Sequence, residues 1–413
     1  MNLSSPLSLF SFPSTVFCCG YNTDRFLGVK SDHGPSDLFS LVHLSTLENE
    51  MKNAGAGYIV QVSTKFSKSY FLTSNHHVYI GRDMRRWTWP DLLLPDKIVD
   101  IKTGQNSALF LMSSGKVYMD TDSGNPCLFE KEYTAKMIAA TGMSYWILDV
   151  NNVLRGTGEL LSNPVESPID LKAYLDDDED VAELVTGGSS ICIITNRRNL
   201  YILGEKVAFG MSDTSIYKLP HRMHRFDGMV NKVSCGWYFT MVLAIDHSLH
   251  GAGRNTYGQL SNPNTDQDDD HTSGSGAVTR PAIYEQTTWK EFTPHLPPGE
   301  FVENICCGSD HVVIATNKGK VLTKGMTTYG QIGRRDRNEV FDLPNFHDPN
   351  YEDVIKNAVG ENYTARFASN NFNTLSTYVI YVPSISKQLI YFKEKMKTAF
   401  MDNKLTDLSF FFQ

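Results

Sequence analysis

The sequence predicts an all-β protein, a seven-bladed β-propeller closed by the N-terminal strand, with a short C-terminal helical extension. Seven segments share one layout, in which an apolar alternating run and a small-residue turn are followed by further apolar runs. The turns lie at residues 65, 104, 142, 187, 236, 308 and 360. A strand pattern that repeats every 40 or so residues is typical of a radial β repeat.

The two clearest copies are residues 233–260 and 302–333. A tight crossing between strands requires a residue that accepts positive φ or a close backbone approach, and glycine does both without a Cβ penalty. Lys65 takes the place of the turn glycine in the copy that begins at Val60. The repeat glycines are Gly20, Gly104, Gly142, Gly187, Gly236, Gly253, Gly308, Gly325 and Gly360.

The N-terminus supplies a strand that the last copy lacks. Residues 16–28 align with residues 321–333, so that Gly20 matches Gly325. We therefore expect Val16–Gly20 to pair in the same blade as residues 354–369, because this joining leaves no open sheet edge. The same closure argues against a cleaved signal peptide.

The propeller is predicted to cover residues 1–383. An acidic insertion at 262–295 is expected to be a surface loop, or else a loop that a partner orders. A second acidic run, 176–180, is expected to be a solvated loop. Residues 384–413 form a separate segment, in which apolar residues at steps of three and four predict a helix, followed by a strand.

Composition excludes several classes of function. With 38 basic and 46 acidic residues the net charge is −8, which argues against a nucleic-acid partner. No window approaches the roughly 18 apolar residues of a membrane span. The seven cysteines contain no C-x-x-C pair, so we expect reduced thiols and no bound metal. We also expect no cofactor, and a location in the cytoplasm or the nucleus. No hydrolase, metalloprotease or phosphate-loop motif occurs, so no catalytic residue is assigned and the protein is predicted not to be an enzyme.

The pattern Cys-Gly-x-x-His, strand, Gly, and Gly-Gln-Leu/Ile resembles the regulator-of-chromosome-condensation repeat. This resemblance implies a seven-bladed propeller with a split closing blade. The last residues, from Leu405 to Gln413, resemble the start of a BTB domain, with a strand that packs back on the propeller as the alternative. The BTB resemblance implies an adaptor for a cullin-type ubiquitin ligase.

The turns after the repeat glycines are expected to gather on one face and to bind a protein partner. In the family, one member uses Asp and His residues of such turns to catalyse nucleotide exchange on the small GTPase Ran. In this chain the fourth turn position carries Lys68, Ser107, Tyr145, Ser190, Phe239, His311 and Tyr363, so that only one histidine is present. The candidate binding residues are Lys68, Tyr145, Trp237, Tyr238, Asp310, His311 and Tyr363.

Each candidate has a structural alternative. His311 can be a buried histidine that bonds a neighbouring blade, and the aromatic rings can wedge between blades. The sequence therefore predicts a non-catalytic interaction scaffold, the recognition part of a BTB-type ligase adaptor. The alternative is a guanine-nucleotide exchange factor for a Ran-like GTPase.

Overall fold

The computed structural model arranges seven antiparallel sheets in a ring. It describes residues 15–22, 27, 38–65, 68–81, 85–86, 96–105, 107–121, 127–130, 133–158, 167–211, 215–260, 285–326, 328–333, 363–369 and 376–383. The inner strand of each blade contacts the inner strands of both neighbouring blades, and this series closes on itself. The predicted seven-bladed propeller is confirmed.

The blades are numbered 1 to 7 in chain order, and blade 7 is the closing blade. Blade 1 contains β3 (Ile59–Lys65), β4 (Lys68–Thr73), β5 (Val78–Ile80) and β6 (Arg85–Arg86). Blade 2 contains β7 (Ile98–Thr103), β8 (Ser107–Met112), β9 (Val117–Thr121) and β10 (Cys127–Glu130). Blade 3 contains β11 (Ala135–Ala140), β12 (Ser144–Asp149), β13 (Val153–Gly158) and β14 (Ile169–Asp170).

Blade 4 contains β15 (Val181–Thr186), β16 (Ser190–Thr195), β17 (Leu200–Glu205) and β18 (Ile216–Arg222). Blade 5 contains β19 (Val230–Cys235), β20 (Phe239–Ala244), β21 (Leu249–Arg254) and β22 (Glu285–Glu291). Blade 6 contains β23 (Val302–Cys307), β24 (His311–Thr316) and β25 (Val321–Gly325) within the described residues. Blade 7 contains β26 (Tyr363–Ser369), β27 (Ser376–Pro383), β1 (Thr15–Gly20) and β2 (Leu38–His43).

The second strand of a blade is rich in apolar residues because neighbouring blades cover both of its faces. Every residue of β8, β16, β20 and β24 is buried. The buried side chains form clusters that span adjacent blades; one cluster joins Phe17 and Tyr381 of blade 7 to Val313 of blade 6. The hydrophobic core is therefore a ring of interfaces between blades.

Each inner strand carries a break in register near its start, a regularity that the sequence did not predict. In blade 5 the pairing shifts between Val230 and Lys232, and the six other blades shift at or near the matching position. A bulge of this kind adds one unpaired residue and increases the local twist. The bulges thus lie in the strands that line the centre of the ring.

The N-terminal strand closes the ring as predicted. β1 lies between β2 and β27, and Val16 pairs with Ile380. The predicted register of the last copy is wrong, however, because β26 (Tyr363–Ser369) is the inner strand of blade 7 and not its second strand. Gly360 and residues 354–359 lie outside the described residues, and the turn between β26 and β27 falls at 370–375.

One α-helix, α1 (Ser45–Asn53), joins blade 7 to blade 1, and the repeat pattern did not predict it. Leu47 and Met51 bury their side chains in the cluster between these two blades. Glu48 Oε1 accepts hydrogen bonds from the Val16 N–H at 3.0 Å and from His43 Nε2 at 2.8 Å. The helix therefore fastens the closing strand.

Two loop predictions need correction. The insertion is shorter than 262–295, because residues 285–291 form β22, the outer strand of blade 5. In the acidic run 176–180, the four aspartates are exposed as predicted, and the correction concerns Glu179 alone. Glu179 is buried, and its carboxylate accepts hydrogen bonds from Thr195, Asn199 and Tyr201. The predicted segment 384–413 lies outside the described residues, so its helix and BTB-like strand stay predictions.

Candidate functional site

The turns between inner and second strands lie at one end of the ring because all the inner strands run in the same direction. We call this surface the turn face; it also carries the connections that leave the third strands. Backbone N–H groups of successive turns donate to carbonyls of the next turn, at distances from 2.9 to 3.2 Å. The pairs are Gln105 to Gly142, Gly142 to Gly188, Gly188 to Gly236, and Trp237 to Ser309. The predicted convergence of these turns is present from blade 2 to blade 6.

The repeat glycines fall into two groups with different physical roles. In the turns, a Cβ on Gly236 would lie 1.9 Å from Phe239 Cε1, and one on Gly308 would lie 2.0 Å from His311 Cε1. The ring at the fourth position occupies the space that a side chain would need. At the ends of the third strands, Gly20, Gly204, Gly253 and Gly325 have φ between 108° and 115°. Gly204 belongs to this group although it was not among the predicted repeat glycines.

His311 is buried and faces blade 7. Its Nε2 is 3.0 Å from Thr377 Oγ1, and the Thr377 hydroxyl donates to the carbonyl of Gln331 at 2.6 Å. With no exposed surface, His311 is a contact between two blades rather than part of an accessible face. This geometry agrees with the alternative interpretation of His311 as a buried histidine that bonds a neighbouring blade.

Two other candidates do not hold the turn position that was predicted for them. In blade 6, the N–H of the turn residue Gly308 donates to the carbonyl of His311, which holds the fourth position. In blade 3 the same hydrogen bond runs from Thr141 to Ser144, so Ser144 holds the fourth position there. The sequence predicts Tyr145 at this position, because Tyr145 lies three residues after Gly142. In blade 7, Ser376 holds the fourth position. It pairs with the third-strand glycine Gly20, just as His311 of blade 6 pairs with Gly325.

Tyr145 and Tyr363 therefore lie elsewhere. The Tyr145 hydroxyl hydrogen-bonds Ser107 of blade 2, and its ring covers Gly104. Tyr363 starts β26 and pairs with Pro383, at the end of the blade opposite the turn face. Tyr145 joins two blades, and Tyr363 is not on the turn face.

Lys68 holds its predicted position at the start of β4. Its Nζ forms an ion pair with Asp120 of blade 2 at 3.3 Å, and the Lys68 side chain is 28% exposed. Lys68 thus links blades 1 and 2 and is still within reach of solvent.

Trp237, Tyr238 and Asp310 come together on the turn face, as predicted, and are partly exposed. The Trp237 indole lies on the backbone of blade 4, since a Cβ on Gly188 would be 2.9 Å from its Cδ2. The Tyr238 ring is edge-on to that indole, with 6.2 Å between centroids. Arg254 Cζ lies 4.1 Å from the Tyr238 centroid, a cation–π distance.

Carboxylates lie near this guanidinium. We call Glu205, Tyr238, Arg254 and Asp310 the Arg254 cluster. Burial raises the pKa of Asp310, while the Ser309 hydroxyl, which donates at 2.6 Å, and Arg254 lower it. Burial also raises the pKa of Glu205, against a hydrogen bond from Ser189 at 2.9 Å and the charge of Arg254. The cluster therefore presents charged groups that are incompletely hydrated.

Sequence reasoning missed Glu205, Arg254 and Met143. Met143 is 63% exposed in the blade 3 turn. A usable signal existed for the first two, because each follows a third-strand glycine, Gly204 or Gly253, and that position faces the turns. Met143 has no comparable signal in the sequence.

The described part of the chain contains no group of three or more His, Cys, Asp or Glu side chains that could hold a metal ion. Within the same residues, no helix has the length and apolar character needed to cross a membrane.

A repeat from the protein family described as "Regulator of chromosome condensation (RCC1) repeat" matches residues 230–259. The strands of that match are β19, β20 and β21 of blade 5. Together with the ring of blades, this supports an RCC-type repeat propeller. The match contains Trp237, Tyr238 and Arg254.

Curated relatives match over part of the chain. Serine/threonine-protein kinase Nek9 of Mus musculus is 24% identical over 159 residues, which cover 37% of this chain and 14% of the kinase. Ultraviolet-B receptor UVR8 of Arabidopsis thaliana is 24% identical over 159 residues, 38% of this chain and 32% of the receptor. The chain thus spans less than half of the length of these relatives.

The similarity to solved structures is more extensive. The crystal structure of Prp20p from Saccharomyces cerevisiae, described with its binding properties to Gsp1p and histones, has a TM-score of 0.67 and 15% identity. The match covers 94% of this chain and 96% of Prp20p. At this identity the similarity establishes the fold.

Proposed function

We propose that this propeller is a non-catalytic scaffold that binds a protein partner on its turn face. The Arg254 cluster is the observation that carries the proposal. Its guanidinium stacks on an aromatic ring and lies near carboxylates whose burial raises their pKa. Arginine and aromatic groups are enriched among residues that dominate protein interfaces.

The half-buried carboxylates support the same proposal on energetic grounds. An acidic group whose pKa is raised in the folded state reduces stability once pH exceeds its unfolded pKa, near 4. Asp310 therefore costs stability at neutral pH. A partner that donates hydrogen bonds or a positive charge to Asp310 offsets this cost on binding.

Trp237 and Tyr238 are expected to have different roles. Trp237 covers the backbone of the neighbouring blade, so Trp237→Ala should lower Tm. Tyr238 supports Arg254 at the surface, so Tyr238→Ala should reduce binding while Tm changes little. A central aromatic contact is worth about 2 kcal/mol, or roughly a thirtyfold loss of affinity.

The experiment compares affinity capture from lysate by the wild type, Tyr238→Ala and Arg254→Ala. Arg197→Ala is the matched control, since Arg197 is an exposed arginine paired with Asp178 in a turn at the opposite end of the ring. Proteins retained by the wild type and by the control should be lost from both turn-face variants, with Tm measured for each. Equal capture by all four proteins would remove the turn face as the binding surface.

We also propose that the partner is a substrate of a ubiquitin ligase, with the propeller as the recognition part of a BTB-type adaptor. The resemblance of residues 405–413 to the start of a BTB domain supports this finer proposal. The test is to sequence the transcript beyond the codon for Gln413 and to measure binding of the encoded protein to a cullin. A transcript without a BTB domain would exclude the adaptor role and leave the scaffold proposal intact.

A second candidate, nucleotide exchange on a Ran-like GTPase, is favoured by the fold match to Prp20p over 94% of the chain. Against it, the one histidine at the fourth turn positions, His311, is buried between blades. We expect the purified protein to leave the release of labelled GDP from Ran unchanged. An acceleration of about tenfold or more at micromolar protein would make exchange the better assignment.

A further inference from the structure

Two thiols face each other across the interface between blades 4 and 5. Cys192 lies in β16 and Cys235 is the last residue of β19, and their Sγ atoms are 3.7 Å apart. Both side chains are buried in the same apolar cluster, with exposures of 0% and 3%. Neither residue belongs to the Arg254 cluster.

The separation is short enough for a covalent bridge. A disulfide requires about 2.05 Å between its sulfurs, so the two atoms must approach by roughly 1.7 Å. Both residues lie in regular strands of adjacent blades, and that approach requires side-chain rotation and a small shift between blades. The two thiols therefore meet the first geometric requirement for oxidation as a pair.

One of the two thiols can be reached by a small molecule. A cavity of about 340 Å³ lies at the centre of the ring, and Cys235 is among its lining residues, together with Lys102, Glu183 and Lys232. Cys192 lies behind Cys235 and does not line the cavity. Of this pair, Cys235 is therefore the thiol that a small oxidant in the cavity meets first; Cys306 and Cys307 line the cavity as well.

We propose that hydrogen peroxide converts Cys192 and Cys235 to a reversible disulfide between blades 4 and 5. The Cys235 sulfur attacks one peroxide oxygen, the O–O bond breaks, and the products are a sulfenic acid and one water. The Cys192 sulfur then attacks the Cys235 sulfur, the S–O bond breaks, and a second water leaves. Two thiols lose two electrons in total, and the peroxide takes them up together with both protons.

The environment makes this reaction slow. Burial raises the pKa of Cys192 well above its ordinary value, and the neighbouring Cys235 adds to this effect. A small thiolate fraction slows attack. The exposed Cys127 should be oxidised sooner.

The bridge fixes the base of a turn on the turn face. Cys235 directly precedes Gly236 and Trp237, so a bond to β16 holds the end of the inner strand of blade 5 against blade 4. A cross-link between residues distant in sequence also restricts the unfolded chain, and we expect Tm to rise by roughly 5 °C.

Cys307 is the competing partner. It is buried, lines the same cavity and donates its S–H to the Ser234 carbonyl at 3.5 Å. A bridge between Cys235 and Cys307 would join blades 5 and 6 instead. We assign Cys192 as the partner because its Sγ lies 3.7 Å from that of Cys235.

The test treats the full-length, reduced protein with hydrogen peroxide, alkylates the remaining thiols and maps the peptides by mass spectrometry. Cys127→Ser is used as the background, because it prevents cross-linking between copies. We expect a cross-linked peptide that joins Cys192 to Cys235 and that disappears on treatment with dithiothreitol. Tm should rise as this peptide forms. A Cys235–Cys307 peptide, or a Cys192–Cys235 peptide that forms only in urea, would overturn the proposal.

The two single variants check the order of steps. In Cys192→Ala, peroxide should leave Cys235 as a sulfenic acid that dimedone traps, and Tm should not rise. In Cys235→Ala, Cys192 should stay reduced over the same period. Oxidation of Cys192 at an equal rate in both backgrounds would contradict entry through the central cavity.

Discussion

Gly308 illustrates why a turn whose fourth position carries an aromatic ring requires glycine. Its φ is not in the left-handed region, so backbone strain does not explain the residue. The reason is the His311 ring, which occupies the position of a Cβ on Gly308. The fourth-position side chain and the glycine are therefore a complementary pair, as are Phe239 and Gly236.

Gly308→Ala should lower the free energy of unfolding by about 1–3 kcal/mol, because the new methyl group collides with a packed ring. Urea denaturation measures this loss. Gly228→Ala is the control, because no atom lies within 4 Å of the Cβ position of Gly228. This substitution costs only the strain of placing alanine at φ +69°, about 1 kcal/mol. Adding His311→Ser to Gly308→Ala should recover part of the loss; no recovery would refute the steric explanation.

Lys324 predicts a pH dependence of stability. Burial lowers its pKa to about 8, whereas the unfolded chain titrates near 10.4. Between these values the unfolded state binds more protons, so stability should increase as pH rises from about 8 to 10. Tm measured over this range should rise less in Lys324→Met than in the wild type, and equal slopes would contradict the assignment.

At the scale of elements, the third and fourth strands of blade 5 pair directly, although residues 255–284 separate them along the chain. Arg254 pairs directly with Glu285, so the two ends of the insertion already lie side by side. Residues 255–260 include the buried Asn255, Gln259 and Leu260 and belong to the blade.

Replacing residues 263–283 with a four-residue Gly/Ser linker should leave the Tm of the propeller nearly unchanged. Loop-closure entropy varies slowly with length, and the shorter loop costs slightly less. Differential scanning calorimetry provides the measurement. Replacement of 255–260 by Gly/Ser residues is the control and should lower Tm; a large loss on replacing 263–283 would mean that the insertion packs on the blades.

At the scale of the whole molecule, stability depends on closure. β1 is hydrogen-bonded on both sides, by β2 and β27, and its residues belong to the clusters that join blade 7 to blades 1 and 6. Removal of β1 therefore exposes two strand edges and two interfaces at once.

Deletion of residues 1–20 should abolish the cooperative unfolding transition and increase the fluorescence of a dye that binds apolar surface. A chain that ends at Pro383 is the matched control, because the described strands of the propeller end there. That variant should retain the wild-type Tm. A single transition at the wild-type temperature after deletion of 1–20 would refute closure by the N-terminus.

The sequence alone was sufficient for the seven blades and for the role of Val16–Gly20. Both predictions depend on local strand patterns and on a repeat. Because the same pattern recurs in several copies, a weak match in one copy does not change the predicted number of blades. It was also sufficient to place Trp237, Tyr238 and Asp310 together, since identical units in a ring bring identical turns to one face.

The tertiary structure alone decided the register of two turns and the composition of the binding surface. Ser144 and Ser376, rather than Tyr145 and Tyr363, hold the fourth position, because hydrogen bonding between strands sets register and a weak copy tolerates a shift of one or more residues. The Arg254 cluster and the Cys192–Cys235 pair join residues from different blades. Distances between blades depend on how neighbouring sheets pack, and no pattern along a single copy encodes them.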